Sequence, residues 1–316
     1  MTAHAKVIVD CDSAGPGFTC AYVRVAGDEC AFIETYTSHA RDRMLRALAE
    51  SGRSVEDVRW VVVTHAHLDH AGGAGSLLAA CPRATLLAHP RAARHLIDPS
   101  KLVKSATAVY GAQRFAELYG TIEPIPAERV RALDDGATFA LGGATLRVHY
   151  TAGHANHHFV VHDPELDTVY TGDSFGLVYP ALQRGGLFAI PSTSPTNFDA
   201  QEAHKSVDRI LALGTKTACL THYGEVSDLP AIAGQLRGWI DRAGAWVDAA
   251  ARSDETLEAM TARLARAWRD AFAEAARALH LDFDASSYRH LEMDTELNAQ
   301  GLAVVADMRR SPPPRA

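Results

Sequence analysis

No stretch of the 316 residues is apolar over the roughly 20 consecutive positions that a membrane-spanning helix needs. The opening residues show no basic segment followed by an apolar one, so no secretory signal and a cytoplasmic setting are expected. Cysteine is sparse. Cys11, Cys20, Cys30, Cys81 and Cys219 are scattered and odd in number, which argues for free buried thiols rather than a disulfide framework. Basic charge is outweighed: 31 Lys and Arg stand against 38 Asp and Glu, for a net charge of −7 with no basic stripe. That balance excludes an ordinary nucleic-acid binder, and no membrane partner is expected. A content of 47% hydrophobic and 22% charged residues excludes a disordered chain, a collagen or a coiled-coil rod.

What remains alternates between short strands and helices. Val7–Val9, Cys20–Val25 and Ala31–Glu34 read as strands punctuated by Gly15-Pro16-Gly17 and Gly27-Asp28. A helix is predicted over Ser38–Glu50, a buried strand over Trp60–Val63, a helix over Ala71–Ala80 and a strand over Ala84–Ala88. Residues 90–120 read as helical, including one segment over Lys101–Tyr119. Strands return at Thr138–Leu141, Thr145–Tyr150, His158–His162 and Thr168–Tyr170, with turns at Gly142-Gly143 and Asp163-Pro164. From Ala200 the pattern is helical apart from a strand at Thr217–Thr221, and Leu257 to Leu279 carries one amphipathic helix. The tail Ser311–Ala316 holds three prolines and is expected to be disordered. The expected organisation is an α/β layered sandwich over residues 1–226 and a helical C-terminal extension over residues 227–316.

Histidine is the compositional surplus, at sixteen residues. Three of them fall with one aspartate in the run Thr64-His65-Ala66-His67-Leu68-Asp69-His70-Ala71-Gly72-Gly73, between a buried strand and a helix. A loop at a strand end aims such side chains into one cavity from a rigid base. Imidazole and carboxylate together suit zinc, iron or manganese better than calcium. Gly72-Gly73 are read as allowing close packing, and no Lys-Ser/Thr follows them to make a P-loop.

This His-x-His-x-Asp-His loop resembles the signature of the metallo-β-lactamase superfamily. The resemblance continues at Thr151-Ala152-Gly153-His154, at Thr171-Gly172-Asp173 and at Leu220-Thr221-His222, each after a predicted strand. It implies a four-layer αββα sandwich with a metal site at one edge, in the glyoxalase II-like or lactonase-like branch. It further implies two divalent ions, zinc first, with iron or manganese as alternatives. His65, His67 and His154 would hold one ion, and Asp69, His70 and His222 the other. Asp173 would bridge them, and Asp69 would orient a hydroxide made available between the two cations.

The same resemblance assigns supporting roles. Glu34 stands where the family commonly has Asp supporting the metal loop, and His158 matches a recurring histidine beside the ligands. From their chemistry alone, Tyr179 and Tyr223 are candidate oxyanion donors, with a packed aromatic whose hydroxyl is satisfied as the commoner alternative. His89 is read as a helix-start residue rather than a ligand. The segment Tyr179–Pro195 is read as a pocket wall, with a plain connector as the alternative. Around His222, Leu220–Glu225 shares only the histidine with the Cys-Gly-His-Glu-Tyr run of glyoxalase II thioesterases, which argues against glutathione thioesters.

The expected activity is that of a metallo-hydrolase acting on a small-molecule ester, thioester or lactone. The alternative is iron-dependent oxygen or sulfur chemistry of the persulfide dioxygenase kind on the same fold. The C-terminal helices are expected either to close the pocket or to pair with a second copy of the chain as a homo-oligomer.

Overall fold

The computed structural model describes residues 4–11, 15–193 and 197–310. The proline-rich tail and residues 194 and 195 of the predicted pocket wall lie outside them. The chain forms two compact units. The first is Met1–Tyr150, His157–Gly172 and Leu213–Ser227; the second is Thr151–Asn156, Asp173–Ala212 and Asp228–Ala316.

The first unit holds two six-stranded sheets. One runs in chain order through β1 (His4–Asp10), β2 (Cys20–Ala26), β3 (Glu29–Ile33), β4 (Val58–Val62), β5 (Thr85–Ala88) and β6 (Val130–Ala132). Strands β1 to β3 pair antiparallel, and β3 to β6 pair parallel. The other holds β7 (Thr138–Leu141), β8 (Ala144–Tyr150), β9 (Phe159–Asp163), β10 (Thr168–Gly172), β11 (Thr217–Leu220) and β12 (Gly224–Val226), in the spatial order β12-β11-β10-β9-β8-β7. Only β10 and β11 pair parallel there. Gly142 and Gly143, both at positive φ, close the two-residue turn from β7 to β8, where glycine avoids the steric cost of that conformation.

Alternate residues of each strand face opposite ways, and every residue of β2 is buried. Tyr22, Ile33, Val62 and Leu87 from the first sheet share a core with Leu146, Val148, Phe159, Val161 and Tyr170 from the second. Val23, Phe32, Val61 and Leu86 face the other way, onto helices. Those helices include α1 (Arg41–Glu50, burying Met44 and Leu48), α2 (Leu68–Ala71), α3 (Ala74–Ala80) and α4 (Pro90–Ile97). Burying each such large side chain contributes about 1.5–3 kcal/mol. The helix predicted over Lys101–Tyr119 is instead two, α5 (Ser100–Tyr110) and α6 (Ala112–Tyr119), because Gly111 takes φ 77° between them. All five cysteines are free and buried.

Helices α7 (Ala200–Ala212), α8 (Leu229–Ala251), α9 (Leu257–Ala278), α10 (Ala285–His290) and α11 (Glu292–Arg310) build the second unit. Its core is aromatic. Trp239 of α8 packs on Trp268 and Phe272 of α9 at ring-centroid distances of 5.9 and 5.2 Å. Phe188, from the segment after Asp173, packs edge-on against Trp239 and Phe272. Gln235 and Trp239 bind the backbone of residues 187–189: Ala189 N–H donates to Gln235 Oε1 at 2.8 Å, and Trp239 Nε1 donates to Ala189 O at 2.9 Å. These bonds account for a division that differs from a single cut near residue 226. Residues 173–212 belong with the C-terminal helices.

Candidate metal centre

Strand β4 stops at Val62, the chain bends at Thr64 and His65, and His67, in an extended conformation, sits at the N-terminal boundary of the short helix α2. His70 N–H and Ala71 N–H both donate to His67 O, so Asp69 and His70 ride on one tight turn. The loop is pinned from beneath by the segment after β3. Thr35 N–H and Thr35 Oγ1 both donate to His70 O, at 2.9 and 2.8 Å, and Gly73 N–H donates to Tyr36 O. A Cβ on Gly73 would lie 2.6 Å from Thr35 O and 2.7 Å from Thr37 O, so a side chain there would push apart the two segments that hold the loop. The glycine therefore serves close packing, as the sequence suggests.

Glu34 is buried and takes φ 65°, a left-handed conformation rare for a residue with a Cβ. Its Oε1 accepts from Thr64 N–H at 3.0 Å, and its Oε2 lies 3.1 Å from His70 Nδ1. A carboxylate only accepts, so His70 carries its proton on Nδ1 and presents a lone pair at Nε2. His222, at the end of β11, is oriented in the same sense: its Nδ1 lies 2.9 Å from the Phe18 carbonyl, and its Nε2 lies 3.5 Å from Asp69 Oδ2. His70 Nε2 is 3.8 Å from the same oxygen. Asp69, His70 and His222 thus bring three ligand-type atoms within 4.8 Å of one another.

The His65 ring lies 4.4 Å from that of His67, 4.1 Å from His70 and 4.8 Å from His158. His158 is buried, one residue before β9, whose first N–H donates to Thr64 O. Gly172 keeps this corner open, since a Cβ there would meet Thr64 Oγ1 and His158 Nε2 at 2.4 and 2.6 Å. His157 also reaches the loop: Ala66 N–H donates to its Nδ1 at 3.4 Å.

In the second unit, His154 and Asp173 meet, with His154 Nε2 at 3.5 Å from Asp173 Oδ2. Ser192 touches both. Its carbonyl lies 3.2 Å from His154 Nδ1, and its hydroxyl donates to Asp173 Oδ2 at 2.9 Å. A cleft there is lined by His154, Asp173 and Ser192 and by the apolar Phe198, Leu236 and Ile240.

Three histidines therefore share one pattern: Nδ1 is held by a carbonyl or carboxylate, and Nε2 is turned toward an aspartate oxygen. Metal-binding imidazoles are oriented in this way, and the donor set of neutral imidazole and carboxylate fits a divalent transition ion.

Two predicted donors are engaged elsewhere. The Tyr179 hydroxyl donates to Asp294 Oδ1 at 3.1 Å and its buried ring packs on His290, so it is a packed aromatic with a satisfied hydroxyl. The Tyr223 hydroxyl donates to Asp10 Oδ2 at 3.1 Å, and burial with that neighbouring carboxylate raises its pKa further above the ordinary tyrosine range. His89 is the N-terminal cap of α4, accepting from Arg91 N–H at 3.0 Å. Sequence reading missed Ser192, Thr35 and the Phe18 carbonyl. A backbone carbonyl has no residue-type signal, and a lone Ser or Thr in a loop carries no spacing to distinguish it.

The sequence profile of the Metallo-beta-lactamase superfamily matches residues 14–222. The chain belongs to this superfamily. Among proteins of known name it is 30% identical over 177 residues to the metallo-beta-lactamase fold-containing protein ST1585 of Sulfurisphaera tokodaii, covering 55% of this chain and 63% of that one. It is 26% identical over 156 residues to an atrochrysone carboxyl ACP thioesterase of Aspergillus fumigatus, covering 49% of this chain and 39% of that one. The matches thus span less than two thirds of either relative. Among solved structures, the archaeal ST1585 superposes with a TM-score of 0.66 at 22% identity, covering 95% of this chain and 98% of that one. The metallo-beta-lactamase family protein TTHA1429 of Thermus thermophilus gives 0.63 at 20% identity, covering 96% and 93%. The α/β sandwich fold expected from the sequence is the fold of these superfamily neighbours. Among the described residues, no helix is long and apolar enough to cross a membrane.

Proposed function

We propose that this superfamily member is a metal-dependent hydrolase of a small ester, thioester or lactone. The observation that carries the reading is the shared orientation of His70, His154 and His222, each with Nδ1 held and Nε2 facing an aspartate. In this reading His65, His67 and His154 would hold one divalent ion, Asp69, His70 and His222 would hold a second, and Asp173 would serve both. Such ions would supply hydroxide at neutral pH and Lewis acidity toward a carbonyl. The protein's own part is to hold and orient. Asp69, whose side chain is 42% exposed, accepts a hydrogen bond from the attacking water and aligns it. Glu34 fixes His70 and the backbone of Thr64 together, and His158 backs His65. The thioesterase name of one relative supports an acyl substrate.

The test is elemental analysis of protein purified without added metal, followed by assays on lactones and thioesters. About two zinc ions per chain with hydrolysis, both lost in His65→Ala, is the expected result. A metal-free His65→Ala variant with full activity would overturn the reading. Iron with oxygen uptake in place of zinc with hydrolysis would move the chemistry to the oxygen and sulfur class.

A further inference from the structure

Helix α11 carries a buried polar face that its amphipathic pattern does not require. Asp294, Thr295 and Asn298 are all buried, at 7%, 1% and 3% exposure. Asp294 receives the Tyr179 hydroxyl. Asn298 makes four hydrogen bonds to a three-residue stretch of chain. Its Oδ1 accepts from Thr193 N–H at 2.6 Å and from Thr193 Oγ1 at 3.0 Å. Its carbonyl lies 3.2 Å from Thr193 Oγ1, and its Nδ2 donates to Pro191 O at 3.0 Å. The residue enclosed by these bonds is Ser192. Ser192 in turn holds His154 through its carbonyl and Asp173 through its hydroxyl.

A buried side-chain amide is costly unless its donors and acceptors are met. Here the amide grips both flanks of Ser192, so both φ and ψ of that residue are constrained from one point. The carbonyl then faces His154 Nδ1, which leaves Nε2 with the lone pair. The hydroxyl fixes one oxygen of Asp173. We infer that Asn298, acting through Ser192, is a positioning residue for His154 and Asp173, so that the C-terminal helix sets the geometry of those two side chains. The inference rests on the reading of His154 and Asp173 as metal ligands.

The test uses the full chain and four variants: Ser192→Ala, Ser192→Thr, Asn298→Ala and His65→Ala. Zinc affinity is measured by chelator competition, and Co2+ is loaded as a spectroscopic probe. Metal-free melting curves are run in parallel. Losing such a supporting contact costs about 10- to 100-fold in metal affinity. The expected result is that loss in both Ser192→Ala and Asn298→Ala, with an altered Co2+ absorption band. Ser192→Thr, which keeps the hydroxyl, restores both. Ser192→Ala leaves no large void, so it reads the site even if Asn298→Ala folds poorly.

Wild-type affinity and an unchanged Co2+ band in both variants, with binding abolished in His65→Ala, would overturn the inference and leave the metal reading intact. An effect of Ser192→Ala with none from Asn298→Ala in a folded protein would overturn the helix's part in it. A wild-type protein that binds neither Zn2+ nor Co2+ would overturn both the inference and the reading beneath it.

Discussion

Glu34 supports more of the His-x-His-x-Asp-His loop than its place in the sequence suggests. Its two carboxylate oxygens serve two partners, the Thr64 N–H and His70 Nδ1, from a backbone held at φ 65°. Such a conformation costs on the order of 1–3 kcal/mol in a residue with a Cβ and persists where surrounding bonds enforce it. Glu34→Gln keeps the shape but gives one partner a donor in place of an acceptor. His70 then loses the group that holds its Nδ1 proton. Chelator competition should show metal affinity falling about 10- to 100-fold while the variant remains folded. Unchanged affinity would mean that His70 needs no such orientation. The family resemblance singles out Glu34, which stands where the family commonly has Asp, and the residues of the His-x-His-x-Asp-His run are marked by their spacing. The sequence is silent on Ser192, a lone serine in a loop, and on Asn298, whose bonds to residues 191 and 193 span more than a hundred positions.

Elements were legible where a pattern was long and obscure where one residue decided. The parallel strands read as short apolar runs, because sheets covered on both faces leave no polar alternation. The three-residue strands β6 and β12 carry too few positions to register, and the break at Gly111 is a single φ angle inside an otherwise helical stretch. The cap of α4 is one element boundary with a measurable consequence. Neutral His89 accepts the Arg91 N–H through Nδ1. Burial, with the positive charge of Arg91 nearby, lowers its pKa from 6.5 to about 4. The unfolded chain therefore takes up this proton as pH falls below about 6.5, while the folded protein resists it until about pH 4. The cap's contribution is complete above pH 6.5 and is lost as pH falls through that window. His89→Asn retains a capping acceptor that does not titrate. Thermal midpoints of the two proteins should lie close at pH 7.5 and diverge between pH 6.5 and 4, with the wild type falling faster. Parallel profiles would rule out the cap as the source.

At the scale of the whole molecule, the division of the chain was the least legible feature. The helical pattern suggests a boundary near residue 226, but the place of residues 173–212 with the C-terminal helices rests on Gln235, Trp239 and Asn298, which reach back to residues 189–193. None of these three residues stands out in a linear reading. Metal binding offers a test at this scale, with each candidate group taken by itself: Asp69, His70 and His222 in the first unit, and His154 and Asp173 in the second. Free metal at 100 times its Kd adds about 2.7 kcal/mol to the folded state. In a chain of this size that raises the thermal midpoint by about 4 °C. Hydrogen exchange then locates the gain. On adding Zn2+ to the metal-free protein, amides should slow both in residues 65–72 and in residues 151–156 and 173–176. Protection confined to residues 65–72 and the neighbourhood of His222 would assign the ion to Asp69, His70 and His222 alone, and the bridging role proposed for Asp173 would fail.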